Sequence, residues 1–324
     1  MTPWRRRAGT LSEPAAEGDF ADPFVLGTPQ GYVAYATNAA GCNVQVRTST
    51  DLRTWRSGAD ALPVMAPWAS AGFTWSPAVL ERGDGHVLWY VVREPSSARQ
   101  VISVARADSS RGPTGPFIDR STTPAVAQFD LGGSIDPSPF VDDDGAAYLL
   151  WKADANAINR PSTLWAQRLN DDGDAVVGAA TMMLGMDRGW ERPLIEAPSM
   201  VHAGGTYWLF YSGGWWESDT YGIGYATAEH PLGPWTKCTT RRAWAASHPR
   251  AAGPGGQEVF RSPDGTLYLA YHAWAPDRVG YGAGGVRSLR VGVLDLSGPA
   301  PVLTPLPDVV PEFPSPGAER PPSG

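Results

Sequence analysis

The segment Gly205-Thr-Tyr-Trp-Leu209 is a glycine followed by a run of β-forming residues, and four other segments of the chain repeat this pattern. They are Gly31-Tyr-Val-Ala-Tyr35, Gly85-His-Val-Leu-Trp89, Gly145-Ala-Ala-Tyr-Leu149 and Gly265-Thr-Leu-Tyr-Leu269. Their glycines follow one another at intervals of 54, 60, 60 and 60 residues. A glycine turn that leads into a β-rich run is typical of a hairpin. The sequence therefore predicts five hairpins at a nearly constant period.

A further strand follows the hairpin in most repeats, for example at residues 101–105 and 222–226. Each repeat then holds about four short strands, and none contains a clear amphipathic helix. Repeats of this length with four strands each indicate a β-propeller, whereas the repeats of a β-helix are much shorter. We therefore predict an all-β fold, a five-bladed β-propeller with four-stranded blades around a central channel.

The repeats also divide the chain. We expect a single propeller domain over residues 18–310, preceded by an N-terminal arm at residues 1–17. Residues 311–324 are rich in Pro, Ser and Gly, a composition that predicts a disordered tail.

Composition limits the classes of partner. The chain has 324 residues, with 26 basic and 33 acidic side chains and a formal net charge of −7. An acidic balance without a basic stripe argues against nucleic acid or an anionic membrane surface as the main partner. The sequence contains no apolar run of the length that spans a bilayer. A neutral ligand fits this composition better, and nothing in it calls for an obligate protein partner.

Two features bear on the cellular compartment. Residues 5–7 are three arginines, as at the start of a signal peptide, but residues 8–20 contain Gly, Pro, three acids and no apolar run. The sequence as given therefore predicts a cytoplasmic protein, or a secreted one if a leader has been removed. Cys42 and Cys238 are the only cysteines, and the sequence is compatible with two free thiols or one disulfide.

Carboxylates recur at one offset within the repeats. The residues nine positions before the five hairpin glycines are Asp22, Ser76, Asp136, Glu196 and Gly256. A proline follows most of them closely, which favours an extended backbone at the start of a blade's innermost strand. Innermost strands surround the channel of a propeller, so we expect the three acids to converge at one end of it. Crowded carboxylates are electrostatically costly and are typical of functional sites.

These positions carry a family resemblance. Ala21-Asp-Pro-Phe24, Trp75-Ser-Pro-Ala-Val79, Ser134-Ile-Asp-Pro137, Glu196-Ala-Pro-Ser-Met200 and Tyr271-His-Ala273 resemble, in order, the motifs of glycoside hydrolase family 43 over about residues 18–300. The resemblance implies a five-bladed propeller that hydrolyses arabinose or xylose glycosides with inversion. It implies that Asp22 is the general base, that Glu196 is the general acid, and that Asp136 orients the acid and favours its protonated form. Two departures are the alanine after Glu196 and Gly256, where a histidine is frequent.

Further residues are candidates for substrate contact. Phe24 and Ser76 belong to the quoted motifs, Trp75 precedes the inner-strand position of the second repeat, and either Trp215 or Trp216 could wall a pocket from a loop. Arg287 resembles a family arginine that reaches the bound sugar.

One histidine is a candidate for a structural ion. His272 lies seven residues after its hairpin glycine, where the other repeats place Asn38, Val92, Lys152 and Ser212. A polar residue there could approach the channel. The resemblance suggests that His272 helps to hold a central ion or water, with Ca²⁺ as the usual metal. No cofactor is expected to be required for the reaction.

The predicted activity is that of an inverting exo-α-L-arabinofuranosidase acting on α-1,5-arabinan or arabino-oligosaccharides. Inversion needs one protonated carboxyl group and one carboxylate that activates water, separated by about 6.5 to 9.5 Å. A β-xylosidase that uses the same three acids is the alternative within the family. A carbohydrate-binding propeller without catalysis is a third possibility, although it has no need of three converging acids.

Overall fold

The computed structural model describes residues 11–16, 18–108 and 110–307.

The strands form five sheets, which are the five blades. Blade 1 contains β1 (Phe24–Thr28), β2 (Gly31–Ala36), β3 (Gln45–Ser49) and β4 (Arg56–Ser57). Blade 2 contains β5 (Ser70–Arg82), β6 (Gly85–Glu94) and β7 (Arg99–Asp108). Blade 3 contains β8 (Ser134–Val141), β9 (Ala147–Ala153), β10 (Thr163–Leu169) and β11 (Val176–Gly185). Blade 4 contains β12 (Ile195–Ala203), β13 (Thr206–Gly213), β14 (Gly222–Ala228) and β15 (Thr236–Lys237), and blade 5 contains β16 (Ala252–Arg261), β17 (Leu267–Trp274), β18 (Ser288–Asp295) and β19 (Val302–Pro305). Within the described residues, the helical elements are four short 3₁₀ turns, at Phe129–Leu131, Ala155–Ile158, Gly189–Glu191 and Tyr281–Ala283.

Each blade is an antiparallel meander in which consecutive strands are neighbours. The first strands of the blades, β1, β5, β8, β12 and β16, contact one another in that order, and β16 contacts β1. They therefore form a closed inner ring. This arrangement confirms the five-bladed propeller and the assignment of the innermost strands.

Blade 2 differs from the predicted four strands. Its sheet has three strands, and β7 is otherwise contacted by isolated bridges, from Ile118 to Arg106, from Val126 to Ile102 and from Gly133 to Gln100. The covering segment contains Pro113, Pro116 and Pro124. Proline has no backbone N–H to donate, so this segment cannot form a continuous ladder.

The core lies between the blades. Five clusters of buried apolar side chains fill the five interfaces between neighbouring sheets, including the interface of blade 5 with blade 1. Trp89, Trp151 and Trp274 are among the largest fully buried side chains. Each such burial contributes roughly 2 to 3 kcal/mol. The ring is thus closed by apolar packing at every interface.

The described part of the N-terminal arm packs on the last blade. Leu11 is buried in the cluster between blades 4 and 5. The backbone N–H of Ser12 donates to the Tyr271 hydroxyl at 2.8 Å, and that of Ala15 donates to the Leu289 carbonyl at 2.7 Å. The arm therefore links the end of the propeller to its beginning. The predicted tail, residues 311–324, lies outside the described residues.

The structure decides the question of the cysteines. Cys42 and Cys238 are both free thiols, on blades 1 and 4. Among the residues that the structure describes, we find no helix with the length and apolar character needed to cross a membrane.

Candidate active site

The innermost strands share a bend that builds the site. One residue per blade has a φ near +50°, namely Asp22 (50°), Ser76 (43°), Asp136 (56°), Ala197 (50°) and Gly256 (56°). In β5, β8, β12 and β16, the register of pairing with the second strand of the blade shifts at this residue. A positive φ is unfavourable for residues other than glycine and persists where the surrounding fold enforces it. Its fivefold recurrence shows that the bend belongs to the fold.

Glu196 is not at the repeated position. Ala197 has the positive φ, and Glu196 precedes it by one residue. In blade 1, Gly31 is the first paired residue of the second strand, whereas in blade 4 Gly205 is still in the turn and Thr206 begins the pairing. Counting nine residues back from Gly205 therefore ends one residue too early. The prediction that Glu196 is structurally equivalent to Asp22 and Asp136 was therefore wrong.

The three acids nevertheless line one cavity. A pocket of about 500 Å³ opens at the end of the channel where the innermost strands begin, and Asp22, Asp136 and Glu196 all border it. The predicted convergence of the acids is therefore observed. Of the candidate substrate contacts, Trp75, Ser76 and Arg287 border the same pocket.

Asp136 is held by its two neighbouring blades. Its Oδ1 accepts a hydrogen bond from Ser76 Oγ at 2.8 Å, and its Oδ2 accepts one from the Ala197 backbone N–H at 2.9 Å. Burial, followed by repulsion from the Glu196 carboxylate, raises the pKa of Asp136 to about 7. Asp136 therefore exchanges its proton close to neutral pH.

Both oxygens of Glu196 accept from buried donors. The Tyr221 hydroxyl donates to Oε1 at 2.7 Å, and the Lys152 ammonium group donates to Oε2 at 2.8 Å. Lys152 also pairs with Asp154 at 3.1 Å and is 1% exposed. Burial alone would lower the pKa of Lys152, but the carboxylates of Glu196, Asp154 and Asp136 raise it above its ordinary value. Lys152 is therefore a permanent cation beside the acid.

Asp22 has a different set of partners. Thr37 Oγ1 donates to its Oδ2 at 2.7 Å, and Arg287 Nη1 lies 3.5 Å from its Oδ1. Burial would lower the pKa of Arg287, but the Asp22 carboxylate raises it above its ordinary value. Asp22 thus has the Arg287 cation near one carboxylate oxygen and the neutral Thr37 hydroxyl on the other.

An aromatic wall borders the pocket beside Asp22. The Arg287 guanidinium lies 5.0 Å from the Trp216 ring centroid and 5.6 Å from that of Tyr281. Arg287 donates to the Tyr281 hydroxyl through Nε at 3.1 Å and Nη2 at 3.0 Å, and that hydroxyl donates to Asp19 Oδ2 at 3.0 Å. This chain of contacts joins the segment before β1 to the loop after β17. It closes one side of the pocket.

Two predicted contacts lie elsewhere. Trp216, and not Trp215, borders the pocket, while Trp215 is 42% exposed beside it. Phe24 lies deeper in the channel, where it packs in the cluster between blades 1 and 2. Both residues therefore lie outside the cavity that the three acids share.

The surroundings of His272 do not fit a metal ligand. Its Nδ1 accepts a hydrogen bond from the Asp22 backbone N–H at 3.0 Å, and burial, with the nearby Arg287 charge, lowers its pKa well below the ordinary value. A neutral imidazole whose Nδ1 accepts must carry its proton on Nε2. Neither nitrogen then offers a free lone pair to a cation, so a channel Ca²⁺ held directly by His272 would require this hydrogen bond to break. The Nε2–H is buried with no hydrogen-bond partner among the described residues, so it can donate to a water, the other predicted role of His272.

Sequence reasoning missed four residues that shape the site. They are Asp19, Lys152, Tyr221 and Tyr281. Lys152 carried a signal, because it occupies the polar position seven residues after a hairpin glycine. Asp19 precedes β1, and Tyr221 and Tyr281 lie on segments between strands, where no repeat offset applies.

Comparison with known proteins identifies similar chains. The sequence profile described as "Glycosyl hydrolases family 43" matches residues 11–291. The chain is 26% identical over 275 residues to the "Beta-D-galactofuranosidase xynD" of Aspergillus niger, covering 80% of this chain and 75% of that protein. It is 29% identical over 263 residues to an "Arabinoxylan arabinofuranohydrolase" of Bacillus subtilis, covering 74% of this chain and 48% of that protein.

Solved structures share the fold. The structure entitled "Crystal structure of a thermostable family-43 glycoside hydrolase" superposes with a TM-score of 0.80 at 26% identity, covering 97% of this chain and 100% of that chain. An "Exo-1,5-alpha-L-arabinanase from Bovine Ruminal Metagenomic Library" superposes with a TM-score of 0.68 at 20% identity, covering 91% and 98% of the two chains. At that identity the second likeness concerns the fold alone.

Proposed function

The chain belongs to glycosyl hydrolase family 43, and from that premise we propose that this glycoside hydrolase is an inverting exo-α-L-arabinofuranosidase. Its proposed substrates are α-1,5-arabinan and arabino-oligosaccharides, from which it releases L-arabinofuranose. The observation that carries the proposal is a cavity bordered by three carboxyl groups in different electrostatic environments.

The environments suggest a role for each acid. Asp22, beside Arg287 and Thr37, is the proposed general base. Glu196, whose Oε1 meets only the hydroxyl of Tyr221, is the proposed general acid. Asp136 contacts the backbone N–H of the residue after Glu196, so it can orient the acid and oppose its ionisation. Inverting hydrolysis requires one carboxyl group that takes a proton from water and one that gives a proton to the leaving oxygen.

The proposed reaction is a single displacement. Asp22 accepts a proton from a water molecule while the water oxygen attacks the anomeric carbon, and the bond from that carbon to the leaving oxygen breaks on the opposite face. Glu196 delivers its proton to the leaving oxygen. The sugar departs with inverted configuration, and the enzyme regains its starting state when the proton on Asp22 returns to Glu196 through solvent.

The names of the relatives support the choice of an arabinofuranoside, and a contact at the pocket supports exo cleavage. The related proteins include an arabinoxylan arabinofuranohydrolase and a probable arabinan endo-1,5-α-L-arabinosidase. The hydrogen bond between Asp19 and Tyr281 closes one side of the pocket, which favours the end of a chain over its interior. The β-xylosidase alternative is not better supported; the finding that favours it is a structure entitled "Endo-1,4-beta-xylanase", which superposes at 26% identity.

A β-D-galactofuranosidase activity is a second candidate. A relative that aligns with 80% of this chain bears that name. β-D-galactofuranosides and α-L-arabinofuranosides have the same configuration around the furanose ring and differ by one hydroxymethyl group outside it. A pocket shaped for one ring can therefore accept the other if it has room for that group.

Initial rates on nitrophenyl α-L-arabinofuranoside, β-D-galactofuranoside and β-D-xyloside test the proposal, with arabinan and arabino-oligosaccharides in parallel. We expect the arabinofuranoside to have the highest kcat/KM and arabinose to be the first product from arabinan. A faster xyloside would support the xylosidase alternative, and early arabino-oligosaccharides would indicate endo cleavage. Binding of sugars without turnover of any substrate would indicate a carbohydrate-binding propeller.

Variants of the two acids test their roles. Glu196→Gln should lose activity on arabino-oligosaccharides, whose leaving group needs a proton, and keep part of its activity on nitrophenyl glycosides, whose leaving group does not. Asp22→Asn should lose activity on both, because water must be activated in either case. Equal loss of both activities in Glu196→Gln would contradict its role as the acid.

A further inference from the structure

Lysine is rare in this chain, and one of its two lysines touches the proposed acid. Of 26 basic residues, 24 are arginines and only Lys152 and Lys237 are lysines. Both have buried ammonium groups in ion pairs, Lys152 with Glu196 and Asp154, and Lys237 with Asp187 and Glu191. An ammonium group is a compact charge that fits a small buried space, unlike the planar guanidinium of arginine.

The contacts of Glu196 restrict where its proton can reside. The Lys152 ammonium group has hydrogen-bond donors only, so the Oε2 that receives it cannot carry a proton towards it. The Tyr221 hydroxyl can both donate and accept, and it faces Oε1 at 2.7 Å. Oε1, the oxygen that Lys152 does not occupy, is therefore the favoured position of the acidic proton.

Charged groups face this pair from several elements. Asp136 on β8 and Asp154 just after β9 are both near Lys152, and Asp154 and Glu196 also repel each other. Asp22 borders the same pocket, just before β1, and is paired with Arg287, the residue before β18. The Lys152 cation therefore lies among several carboxyl groups, and its closest partner is the Glu196 carboxylate at 2.8 Å.

We propose that Lys152 is a positioning residue for Glu196. Lys152 fixes one carboxylate oxygen of Glu196, so that the acidic proton lies on the other. Together with the opposing charge of Asp154, Lys152 also sets the pH at which that proton is lost. The proposal rests on the proposed role of Glu196 as the general acid. A buried cation in contact with an acid favours its ionised form, and a nearby anion opposes it. Lys152 and Asp154 therefore act in opposite directions on the same proton.

The test is the alkaline limb of kcat/KM for an arabino-oligosaccharide, measured in wild type, Lys152→Met and Asp154→Asn. The limb reports loss of the acid's proton. Removing the cation should move it to higher pH, by about one unit or more for a charge in direct contact. Removing the Asp154 anion should move it to lower pH. A purely structural ion pair would lower the rate in both variants without opposite shifts.

Lys237→Met is the matched control. It removes a lysine whose ammonium group is also buried in ion pairs, with Asp187 and Glu191, but which contacts none of the three acids of the pocket. We expect it to lower the unfolding temperature and to leave the alkaline limb in place. A shift in Lys237→Met as large as that in Lys152→Met would attribute the effect to general destabilisation and overturn the proposal.

Three further outcomes keep the result decisive. If Lys152→Met does not fold, Asp154→Asn decides alone, and an unchanged alkaline limb in that variant contradicts the proposal. If Glu196→Gln retains oligosaccharide hydrolysis, the proposed role of Glu196 fails first, whatever the limbs show. If Glu196→Gln behaves as expected and neither limb moves, only the inference about Lys152 fails.

Discussion

Replacing Asp136 with Asn should stabilise the folded protein at alkaline pH while impairing its activity. The pKa of Asp136 is about 7, compared with an ordinary value of 3.8. A carboxyl group whose folded-state pKa is raised favours folding fully below about pH 3.8, and this contribution is lost as the pH rises through about 7. The substitution removes this loss, because asparagine does not ionise.

The magnitude follows from the same two values. The difference between them corresponds to at most about 4 kcal/mol of unfolding free energy above pH 7. The Asp136 side chain borders the pocket and is partly exposed, and solvent screening reduces the effect. We therefore expect Asp136→Asn to gain about 2 kcal/mol over wild type between pH 4 and pH 8.

The local hydrogen bonds can survive the substitution. The Asn side-chain oxygen can accept from the Ala197 backbone N–H, and its amide can donate to the Ser76 hydroxyl, which also accepts. The gain should therefore not be offset by an unsatisfied buried group. The loss of a negative charge beside Glu196 should also move the alkaline limb of the pH–rate profile to lower pH.

Urea unfolding of both proteins at pH 4 and pH 8 measures the effect, with Glu196→Gln as the control. Glu196 is paired with Lys152, so its replacement should remove a charge that balances that buried ammonium group and lower stability at both pH values. If the unfolding free energy of Asp136→Asn is lower than that of wild type by the same amount at pH 4 and pH 8, the reasoning is refuted.

Three further predictions concern other residues of the channel and pocket. Burial raises the pKa of Glu258 to about 8, and Glu258 accepts a hydrogen bond from Ser138. The unfolding free energy of wild type should therefore fall as the pH rises from about 4.5 through 8, and that of Glu258→Gln should fall less. Parallel pH–stability curves for the two proteins would contradict this. Arg287→Lys loses the paired contact with the Tyr281 hydroxyl and should lower kcat/KM on nitrophenyl arabinofuranoside roughly 10-fold or more, an expectation that an unchanged value would refute. Trp216→Ala should raise KM several-fold while the matched Trp215→Ala does not, and the reverse order in steady-state kinetics would argue that Trp215 is the sugar contact.

The fold could be predicted because its signal is local. Each hairpin glycine stands at or within a turn directly before a second strand, so five glycines at regular spacing were enough to count the blades. The missing fourth strand of blade 2 was less visible, although its prolines, such as Pro116, are in the sequence.

The site could be predicted only in part, because its contacts are long-range. Asp22 and Asp136 share a backbone position, which a repeat offset can detect, whereas Glu196 was found through a one-residue difference in a turn. The ion pair of Lys152 with Glu196 joins residues 44 apart on neighbouring blades. No local pattern specifies which polar residue of one blade reaches the acid of the next.

The most direct test of the central claim is the configuration of the first sugar released. If Asp22 activates water and Glu196 protonates the leaving group, proton NMR of the early reaction with nitrophenyl α-L-arabinofuranoside should show β-L-arabinofuranose before mutarotation. Early accumulation of α-L-arabinofuranose, or a sugar covalently trapped on Asp22, would show that a protein carboxylate attacks the anomeric carbon and would contradict the account.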